Sequence, residues 1–485
     1  MNDAISQLLP QPVWRHFYQL TQIPRPSHHE AAVQAYIMQV GERLGLQTIR
    51  DPADNILIRK PASAGMESAP GVILQGHLDM VPQANADIRH DFTRDLIRVR
   101  IEQEWVKATG TTLGADNGIG VAAALAVLES RQLKHGPLEA LFTSNEEDGM
   151  SGAFGVRPDL LQGKILLNMD SEDEGVLCIG CAGGANAGAH LQYTAEPIEP
   201  GWIGYRLSVG GLRGGHSGVD IHRGRGNANK LLARLLSAAA SACEIRLSSF
   251  IGGNMRNAIP REAIARFHVA ASRAAELRAL IESHAQSIKS ELAAAEPGLS
   301  MDLLADGEAP VPVLPRPLQQ GLLDALTACP DGVMRMSDSM PGLVETSTNL
   351  AIVQVANGAI EIKSLIRSSI DSARDALCAV HRSLFRLIGA ETAIDGEYPG
   401  WKPNPDSSLL QTMRHAYQDI FDTPAEIGAI HAGLECGIIG GRYPGLEMIS
   451  FGPTIRYPHS PDECMHIPSV QRFWDLLVAT LARLQ

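Results

Sequence analysis

Four stretches within the first 170 residues decide the fold. They are GVILQGHLDM (71–80), TTLGADNGIGVAAALAVLES (111–130), LEALFTSNEEDG (138–149) and KILLNMD (164–170). The first, third and fourth contain apolar runs typical of buried β-strands, and each run ends in residues that can bind a metal. The second begins with a Gly-rich turn and continues as a helix rich in small residues. The ligand-type residues that follow the strands or open the helix are His77, Asp79, Asp116, Glu146, Glu147 and Asp170.

The position of these residues predicts a shared site. In an open α/β sheet, ligands bind at the carboxyl ends of the strands. One imidazole and five carboxylates should therefore meet at one sheet edge. Buried carboxylates crowd in this way when cations neutralise them, because an unpaired buried charge is very costly. The pattern favours a two-metal hydrolase.

Each residue also has a plainer interpretation. His77 and Asp79 would make a satisfied polar pair at a strand end, and Asp116 would serve as a helix N-cap. The loop around Asp116 resembles a phosphate cradle but lacks the lysine of a P-loop. Glu146 and Glu147 would form an ordinary solvated acidic loop. The metal site is favoured because all six residues occur together, at four strand or helix ends along one edge of the predicted sheet.

Composition limits the partners and the compartment. The net charge of −13 argues against nucleic acid, which binds basic surfaces. No stretch of about 20 apolar residues occurs, so no membrane partner is expected. The N-terminus lacks the pattern of a signal peptide, which favours a cytoplasmic protein. Seven cysteines are sparse and odd in number, as expected for free thiols. Cys178 and Cys181 form CIGC, which without a second cysteine pair is a weak metal signal.

The strand pattern predicts an interrupted domain. From about residue 201 the predicted strands lie in hairpins, which indicates an inserted antiparallel α+β domain. The Pro- and Gly-rich segment 397–407 reads as the return linker, after which α/β character resumes. The predicted division is 1–200 for the first part of the catalytic domain, 201–397 for a lid, and 398–485 for the second part.

Two local predictions are of interest for the site. Residues 29–44 read as a helix with Ser27 as its N-cap and Gly45 after its end. The apolar strand at 446–451 leads to a loop that carries His459. Because the carboxyl end of that strand should join the same sheet edge, we prefer His459 to His431 as the last metal ligand.

These motifs resemble a known family. GHLDM, the Asp116 turn, NEED and NMDSE resemble the co-catalytic zinc aminoacylase and carboxypeptidase clan. Four further motifs resemble its aminoacyl-histidine dipeptidase branch, also called peptidase D or bacterial carnosinase: GGHSGVDIHRGRGNANK (214–230), RNAIPRE (256–262), HAGLECGIIGG (431–441) and PHSPDE (458–463). The resemblance covers essentially the whole chain. It implies a zinc-exopeptidase-like α/β domain with a mixed, mostly parallel sheet, interrupted by a lid that often carries a dimer surface.

The resemblance also implies the site roles. His77 and Asp170 would hold one zinc, Glu147 and His459 the other, and Asp116 would bridge them. Asp79 would orient His77, and Glu146 would be the general base that later acts as the acid. Two Zn²⁺ per chain are implied, with Co²⁺ or Mn²⁺ able to substitute.

Substrate contacts are predicted in the inserted domain and near the second ligand segment. His216 would polarise the scissile carbonyl or be an ordinary turn histidine. Arg367 would bind a substrate carboxylate or form a surface ion pair. Asn257 and Glu435 would meet the substrate backbone and its free amine, although Glu435 would otherwise cap a helix or face water.

The predicted function is hydrolysis of unblocked dipeptides, Xaa-His such as carnosine among them, by a homodimeric metallopeptidase. One alternative within the clan is an N-acyl amino acid deacylase or a tripeptidase. An alternative of another class is a catalytically silent metal-binding protein.

Overall fold

The computed structural model describes residues 4–198, 200–306 and 311–485. The chain forms two compact units. The first comprises Met1–Gly180, Trp401–Ala429 and Leu434–Gln485, and the second comprises Cys181–Gly400 and Ile430–Gly433. None of the helices in the described ranges is long and apolar enough to cross a membrane.

The α-helices of the described residues are α1 (Gln11–Thr21), α2 (Ala31–Arg43), α3 (Ala115–Glu129), α4 (Ser151–Gly155), α5 (Ala228–Cys243), α6 (Ala274–Glu291), α7 (Arg316–Ala328), α8 (Asp371–Arg386), α9 (Ser408–Phe421), α10 (Glu435–Arg442) and α11 (Ile467–Arg483). Short 3₁₀ helices occur at Ile5–Gln7, Ile221–Arg223 and Ala271–Arg273.

The strands are β1 (Gln47–Arg50), β2 (Ile56–Lys60), β3 (Val72–His77), β4 (Val99–Glu102), β5 (Trp105–Ala108), β6 (Leu138–Thr143), β7 (Ile165–Asn168), β8 (Val176–Cys181), β9 (Gly183–Gln192), β10 (Trp202–Gly210), β11 (Arg246–Gly252), β12 (Ala263–Ala270), β13 (Ser300–Ala305), β14 (Gly332–Met336), β15 (Val344–Ala356), β16 (Ala359–Ser368), β17 (Glu391–Tyr398), β18 (Glu426–Ile430), β19 (Glu447–Ser450), β20 (Ile455–Arg456) and β21 (Cys464–His466).

The first unit contains an eight-stranded sheet in the order β1-β2-β6-β3-β7-β19-β8-β18. The inner strands β6, β3, β7 and β19 are parallel, whereas β1, β2 and β8 make antiparallel pairings. Every residue of β3, β6 and β7 is buried, as expected for parallel strands covered on both faces. The predicted α/β class with a mixed sheet is confirmed, and the parallel pairings lie among the four inner strands.

Helix α3 covers this sheet closely because its side chains are small. Nearly all of its residues are buried, and it contacts α1 and β3. Gly120 marks the closest approach, since a Cβ atom there would lie 2.5 Å from the backbone oxygen of Met169. The small residues therefore set the distance between α3 and the end of β7.

The parallel strands deliver their loops to one edge. His77 is the last residue of β3, and Thr143, Asn168 and Ser450 end β6, β7 and β19. The chain then continues into the segments that carry the predicted ligands. A separate four-stranded sheet of the first unit has the order β20-β21-β5-β4, and its strand β21 leads directly into α11.

The second unit is built on a nine-stranded sheet in the order β13-β10-β12-β11-β15-β16-β9-β17, with β14 also paired to β15. The pairings along this order are antiparallel. Its core packs α5 residues such as Leu232 and Leu236 against sheet residues such as Leu207 and Phe267. The inserted α+β domain predicted from the hairpin pattern is confirmed.

The limits of the two units differ from the predicted division. Strand β9 pairs with β16 and β17, so the second unit begins at Cys181 rather than at residue 201. It ends at Gly400 rather than at 397, and it also takes in Ile430–Gly433. Long-range strand pairing decides these limits, and it leaves little trace in local composition.

The prediction that Ser27 caps helix α2 is wrong. The helix begins at Ala31, and the preceding residue, Glu30, makes no capping bond through its side chain. The Ser27 hydroxyl instead donates a hydrogen bond to Asp79 Oδ2 at 2.8 Å. A partner distant in the chain outcompetes the local backbone, and the serine supports the strand end that carries His77.

Candidate metal centre

His77 lies at the centre of a cluster of acidic side chains and is only 1% exposed. Its Nε2 atom lies 3.0 Å from Asp116 Oδ1 and 3.3 Å from Asp170 Oδ1. Its Nδ1 atom lies 3.3 Å from Asp79 Oδ1. Burial alone would lower the pKa of His77, but the surrounding carboxylates raise that pKa well above its usual value. One ring nitrogen therefore faces two candidate ligands while the other faces a carboxylate that fixes the ring.

Asp116 lies between the two histidines of the cluster. Its Oδ1 faces His77, and its Oδ2 lies 3.2 Å from His459 Nε2. Asp116 and Asn117 have non-helical backbone angles within α3, and the peptide bond between them is cis. The interpretation of Asp116 as a simple N-cap does not describe this geometry, because its two carboxylate oxygens point to two different imidazoles.

Asp79 organises the loop after β6. Its Oδ1 accepts a hydrogen bond from the Glu146 backbone at 2.9 Å, and its Oδ2 accepts one from the Glu147 backbone at 3.1 Å. Burial would raise the pKa of Asp79, but hydrogen bonds from His77, the Glu146 backbone and Ser27 lower it to about 2. A single buried carboxylate thus orients both His77 and the two adjacent glutamates.

His459 completes the cluster from the loop after β20. Its Nε2 lies 3.1 Å from Glu147 Oε2, and its side chain is half exposed. Hydrogen bonds to Asp116 and Glu147 raise the pKa of His459 to about 11. The competing residue, His431, belongs to the second unit, where its Nε2 lies 2.7 Å from Ser347 Oγ.

The donor set fits metal cations. Three overlapping groups place one ligand atom each within 4.8 Å of the others: His77, Asp116 and Asp170; Asp116, Glu147 and His459; and His77, Glu146 and Glu147. Tetrahedral ligands of one zinc ion lie about 3.3 Å apart when each bond is about 2.0 Å. The observed separations of 3.0–3.3 Å around His77 and Asp116 match that value.

The electrostatics of the cluster lead to the same conclusion. Burial raises the pKa of Asp170 to about 7, and burial with neighbouring acids raises the pKa of Glu146 well above its usual value. Glu147 Oε1 is buried and has no hydrogen-bond partner among the described residues. Five carboxylates around two imidazoles hold more negative charge than the protein balances, so cations can take the place of protons.

Glu435 lies buried beside β3 and β6, and it does not face water. Its Oε2 accepts hydrogen bonds from Gln75 Nε2 at 2.6 Å and from Thr143 Oγ1 at 2.7 Å. Burial raises its pKa to about 7. Its Oε1 has no hydrogen-bond partner in the described ranges.

In the second unit, His216 and Arg367 form a pair of donors. His216 Nδ1 accepts hydrogen bonds from the backbones of Gly218 and Val219, so its proton belongs on Nε2. Arg367 Nη2 lies 3.4 Å from that Nε2 atom. Burial, together with Arg367, lowers the pKa of His216 to about 4. A neutral imidazole and a guanidinium therefore present N–H groups to the same place.

The alternative of a surface ion pair for Arg367 is not what the structure shows. The side chain is buried, and it donates to Tyr398 Oη at 3.1 Å. Its Nε atom has no hydrogen-bond partner among the residues described. Asn257 is exposed on a neighbouring loop, and its backbone oxygen accepts from Ser217 at 2.8 Å.

Two buried charged residues next to the cluster escaped the sequence analysis. Glu463 accepts from the four backbone N–H groups of residues 113–116. Arg25 donates to the backbone oxygens of Leu78, Asp79 and Gly114. Glu463 ends the PHSPDE motif, but Asp462 beside it looks equivalent in sequence. Arg25 lies between two prolines in IPRPS, where a buried arginine leaves no recognisable pattern.

The sequence of residues 73–483 matches peptidase family M20/M25/M40. The chain belongs to this family. The M20 chain is 47% identical over 481 residues to the cytosol non-specific dipeptidase of Escherichia coli strain K12, with 99% of each sequence covered. The resemblance drawn from the motifs is therefore confirmed, and the chain is a hydrolase that acts on peptide bonds.

Solved structures agree with this assignment. The aminoacylhistidine dipeptidase of Vibrio alginolyticus is 46% identical and superposes with a TM-score of 0.94, covering 100% of this M20 chain and 99% of the other. Human carnosine dipeptidase 1 is 11% identical with a TM-score of 0.51, covering 97% and 95% of the two chains, and shares the fold.

Proposed function

We propose that this M20 peptidase is a dinuclear-zinc dipeptidase that cleaves unblocked dipeptides, Xaa-His such as carnosine among them. The observation that carries the proposal is the pair of overlapping ligand groups that share Asp116. The names of the similar proteins from Escherichia coli and Vibrio alginolyticus support the dipeptide substrate. The former name also supports a cytoplasmic location.

His77 and Asp170 would hold one zinc ion, Glu147 and His459 the other, and Asp116 both. When bound, such a pair of cations supplies Lewis acidity to the scissile carbonyl and stabilises negative charge in the transition state. Imidazole and carboxylate ligands suit zinc, and they also accept Co²⁺ or Mn²⁺.

Glu146 is the residue that moves protons in this proposal. Its carboxyl belongs to the cluster but to neither of the two ligand groups that share Asp116. It would take a proton from the attacking water and return it to the leaving amine. Asp79 would keep Glu146 in place through the backbone hydrogen bond already described.

The second unit would supply the substrate contacts. The Nε2–H of His216 and the guanidinium of Arg367 would bind an oxygen of the substrate, either the scissile carbonyl or the terminal carboxylate. Asn257 would meet the substrate backbone, and Glu435 would offer Oε1, which has no hydrogen-bond partner among the described residues, to the free amine. We further propose that the second unit acts as the lid and that the protein is a homodimer.

The test is a panel of substrates assayed with metal analysis on the same preparation. Free dipeptides, including carnosine, should be hydrolysed, whereas N-acyl amino acids and tripeptides should not. A chelator should abolish the activity, and Zn²⁺ should restore it. Preferred cleavage of N-acyl amino acids or tripeptides would assign one of the other activities of the clan. Two bound metals with no peptidase activity would indicate a silent metal-binding protein.

A further inference from the structure

The turn that precedes α3 is held from two sides by buried side chains of opposite charge. Arg25 and Glu463 are each only 2% exposed. Among the described residues, Glu463 belongs to none of the groups that could hold a metal ion, and the Arg25 guanidinium is not a ligand of that kind. A buried charge is costly unless it is paired and hydrogen-bonded, so two buried charges that both bind this turn require an explanation.

Glu463 binds the backbone of the turn. Its Oε2 accepts from Leu113 and Gly114 at 2.7 and 2.9 Å, and its Oε1 accepts from Ala115 and Asp116 at 2.8 and 3.3 Å. Successive N–H groups that converge in this way form an anion-binding nest. The carboxylate therefore fills the position that a helix-capping side chain would otherwise take.

This arrangement changes what Asp116 can do. An aspartate at the start of a helix commonly uses its carboxylate to bind the orphan N–H groups of the first turn. Here Glu463 satisfies those groups, and both oxygens of Asp116 point instead to His77 and His459. Glu463 thus leaves the Asp116 carboxylate available to two cations.

Arg25 binds the opposite side of the turn. Its Nη1 donates to the backbone oxygens of Leu78 and Asp79, each at 2.9 Å, and its Nη2 donates to the backbone oxygen of Gly114. One guanidinium thereby joins the segment after His77 to the turn that carries Asp116. Gly114 has a φ of +70°, and a Cβ atom there would lie 2.5 Å from Arg25 Nη2.

We propose that Arg25 and Glu463 are positioning residues that set the spacing between the two metal positions by fixing the turn of residues 113–116. The inference rests on the proposed dinuclear centre, but it concerns metal binding and not the choice of substrate. Arg25 sets the turn against the His77 strand end, and Glu463 sets the direction of the Asp116 carboxylate.

The first test replaces Glu463 by glutamine and measures Zn²⁺ binding to the metal-free protein. The amide nitrogen would face N–H donors and could not accept their hydrogen bonds, so Asp116 should turn toward its own backbone. We expect Zn²⁺ affinity at one or both positions to fall by at least about tenfold, within the range for groups that orient metal ligands. The Co²⁺-substituted protein should show an altered absorption spectrum. Asp462→Asn, which removes the same charge from an exposed neighbour, should keep both properties.

A second pair of variants tests the turn without removing a charge. Gly114→Ala places a methyl group against Arg25, whereas Gly445→Ala also alters a glycine of positive φ but meets no atom within 4 Å. We expect weaker Zn²⁺ binding and a changed Co²⁺ spectrum only for Gly114→Ala. Zn²⁺ binding by Gly114→Ala therefore tests the role of the turn even if Glu463→Gln does not fold. Arg25→Lys keeps the charge but loses the planar arrangement of N–H donors, and it should also weaken Zn²⁺ binding.

Wild-type Zn²⁺ affinity and an unchanged Co²⁺ spectrum in folded Glu463→Gln or Gly114→Ala would overturn the inference and leave the proposed dipeptidase function intact. A wild-type protein that binds two metals but cleaves no dipeptide would overturn that function alone.

Discussion

Glu146 and Glu147 are neighbours, and their proposed roles require opposite properties. A metal ligand must remain a bound carboxylate, whereas a general base must accept a proton and release it. Glu147 Oε2 lies 3.1 Å from His459 and takes part in the ligand group that contains Asp116. Glu146 shares the cluster but stands outside that group. Measurements of metal content and of kcat in variants of each residue can therefore distinguish the two roles.

We predict that Glu146→Gln folds, keeps both metals and loses at least about 10²-fold in kcat, the lower end of contributions from general acid–base catalysis. Glu147→Gln should lose metal first and recover part of its activity when Zn²⁺ is added. Metal stoichiometry beside kcat for both variants is the measurement. If Glu146→Gln lost metal while Glu147→Gln kept both metals but was inactive, Glu146 would be the ligand and Glu147 the general base.

His459 and His431 provide a matched comparison, because only one of them lies in the acidic cluster. We predict that His459→Ala retains one metal per chain, whereas His431→Ala retains two. His431→Ala should instead weaken the second unit, since it removes the partner of the buried Ser347 hydroxyl. Metal analysis and thermal unfolding of both variants separate these effects. A full metal complement in His459→Ala would refute its role as a ligand.

Helix α3 shows how an element controls the site through side-chain size. Its glycines and alanines allow it to lie close to β3 and to the end of β7, from which Asp170 follows. At Gly120 the nearest atoms are the Met169 backbone oxygen and the Asn117 side chain. A backbone atom cannot move aside as a flexible side chain can, so added volume here must shift the helix or the strand.

We predict that Gly120→Ala lowers the free energy of unfolding of the first unit by about 1–3 kcal/mol, the usual cost of overpacking. It should also weaken Zn²⁺ binding, because Asp170 follows the displaced segment. Gly440→Ala in α10 is the control, since a Cβ atom there meets only the end of the flexible Met448 side chain. Equal effects of the two substitutions would contradict the argument.

Helix α8 carries a buried histidine that makes the second unit sensitive to acid. His381 Nε2 lies 3.1 Å from Thr348 Oγ1, and burial, assisted by Lys230, lowers its pKa from 6.5 to about 4. The unfolded chain therefore binds more protons than the folded one between these values. The contribution of His381 to the stability of the second unit is therefore fully present above pH 6.5, and it is lost as the pH decreases toward 4.

We predict that the second unit of metal-free protein loses stability between pH 6.5 and 4, by about 3 kcal/mol from His381 alone. His381→Gln should give a shallower pH dependence, although it lowers stability at pH 7. His190→Gln, on the exposed end of β9, should leave the pH dependence unchanged. Denaturant unfolding across this pH range is the measurement, and identical slopes for the wild type and His381→Gln would contradict the prediction.

The whole molecule consists of two compact units, and the metal cluster lies entirely within the first. A ligand that binds a folded unit stabilises that unit by mass action. We predict that a chelator lowers only the unfolding transition of the first unit. Zn²⁺ at about one hundred times its Kd should raise the free energy of unfolding of the first unit by about 2.7 kcal/mol for each ion bound, relative to the metal-free protein.

Calorimetry with and without chelator checks this prediction, and Leu236→Ala assigns the transitions. Leu236 is fully buried in the core of the second unit. Its truncation should therefore lower only the free energy of unfolding of the second unit, by about 2–5 kcal/mol. One common transition that shifts with both Zn²⁺ and Leu236→Ala would show that the units do not unfold independently.

The sequence by itself determined the fold class, the inserted antiparallel domain and the residues of the cluster. These features follow from local rules: buried strands are continuous apolar runs, and parallel strands carry their ends to one edge. His77, Asp116 and Asp170 were therefore recognisable from their places after strands or before a helix.

Only the tertiary structure decided what surrounds that cluster. The capping role expected for Ser27 was wrong because Asp79, 52 positions away, is its hydrogen-bond acceptor. Arg25 and Glu463 bind backbone groups. Because nearly every residue carries the same backbone groups, the sequence does not show which side chain binds them. The limit of the second unit at Cys181 depends on the pairing of β9 with strands far along the chain. Contacts between distant segments carry this information, because local sequence patterns specify elements and not which atoms they bring together.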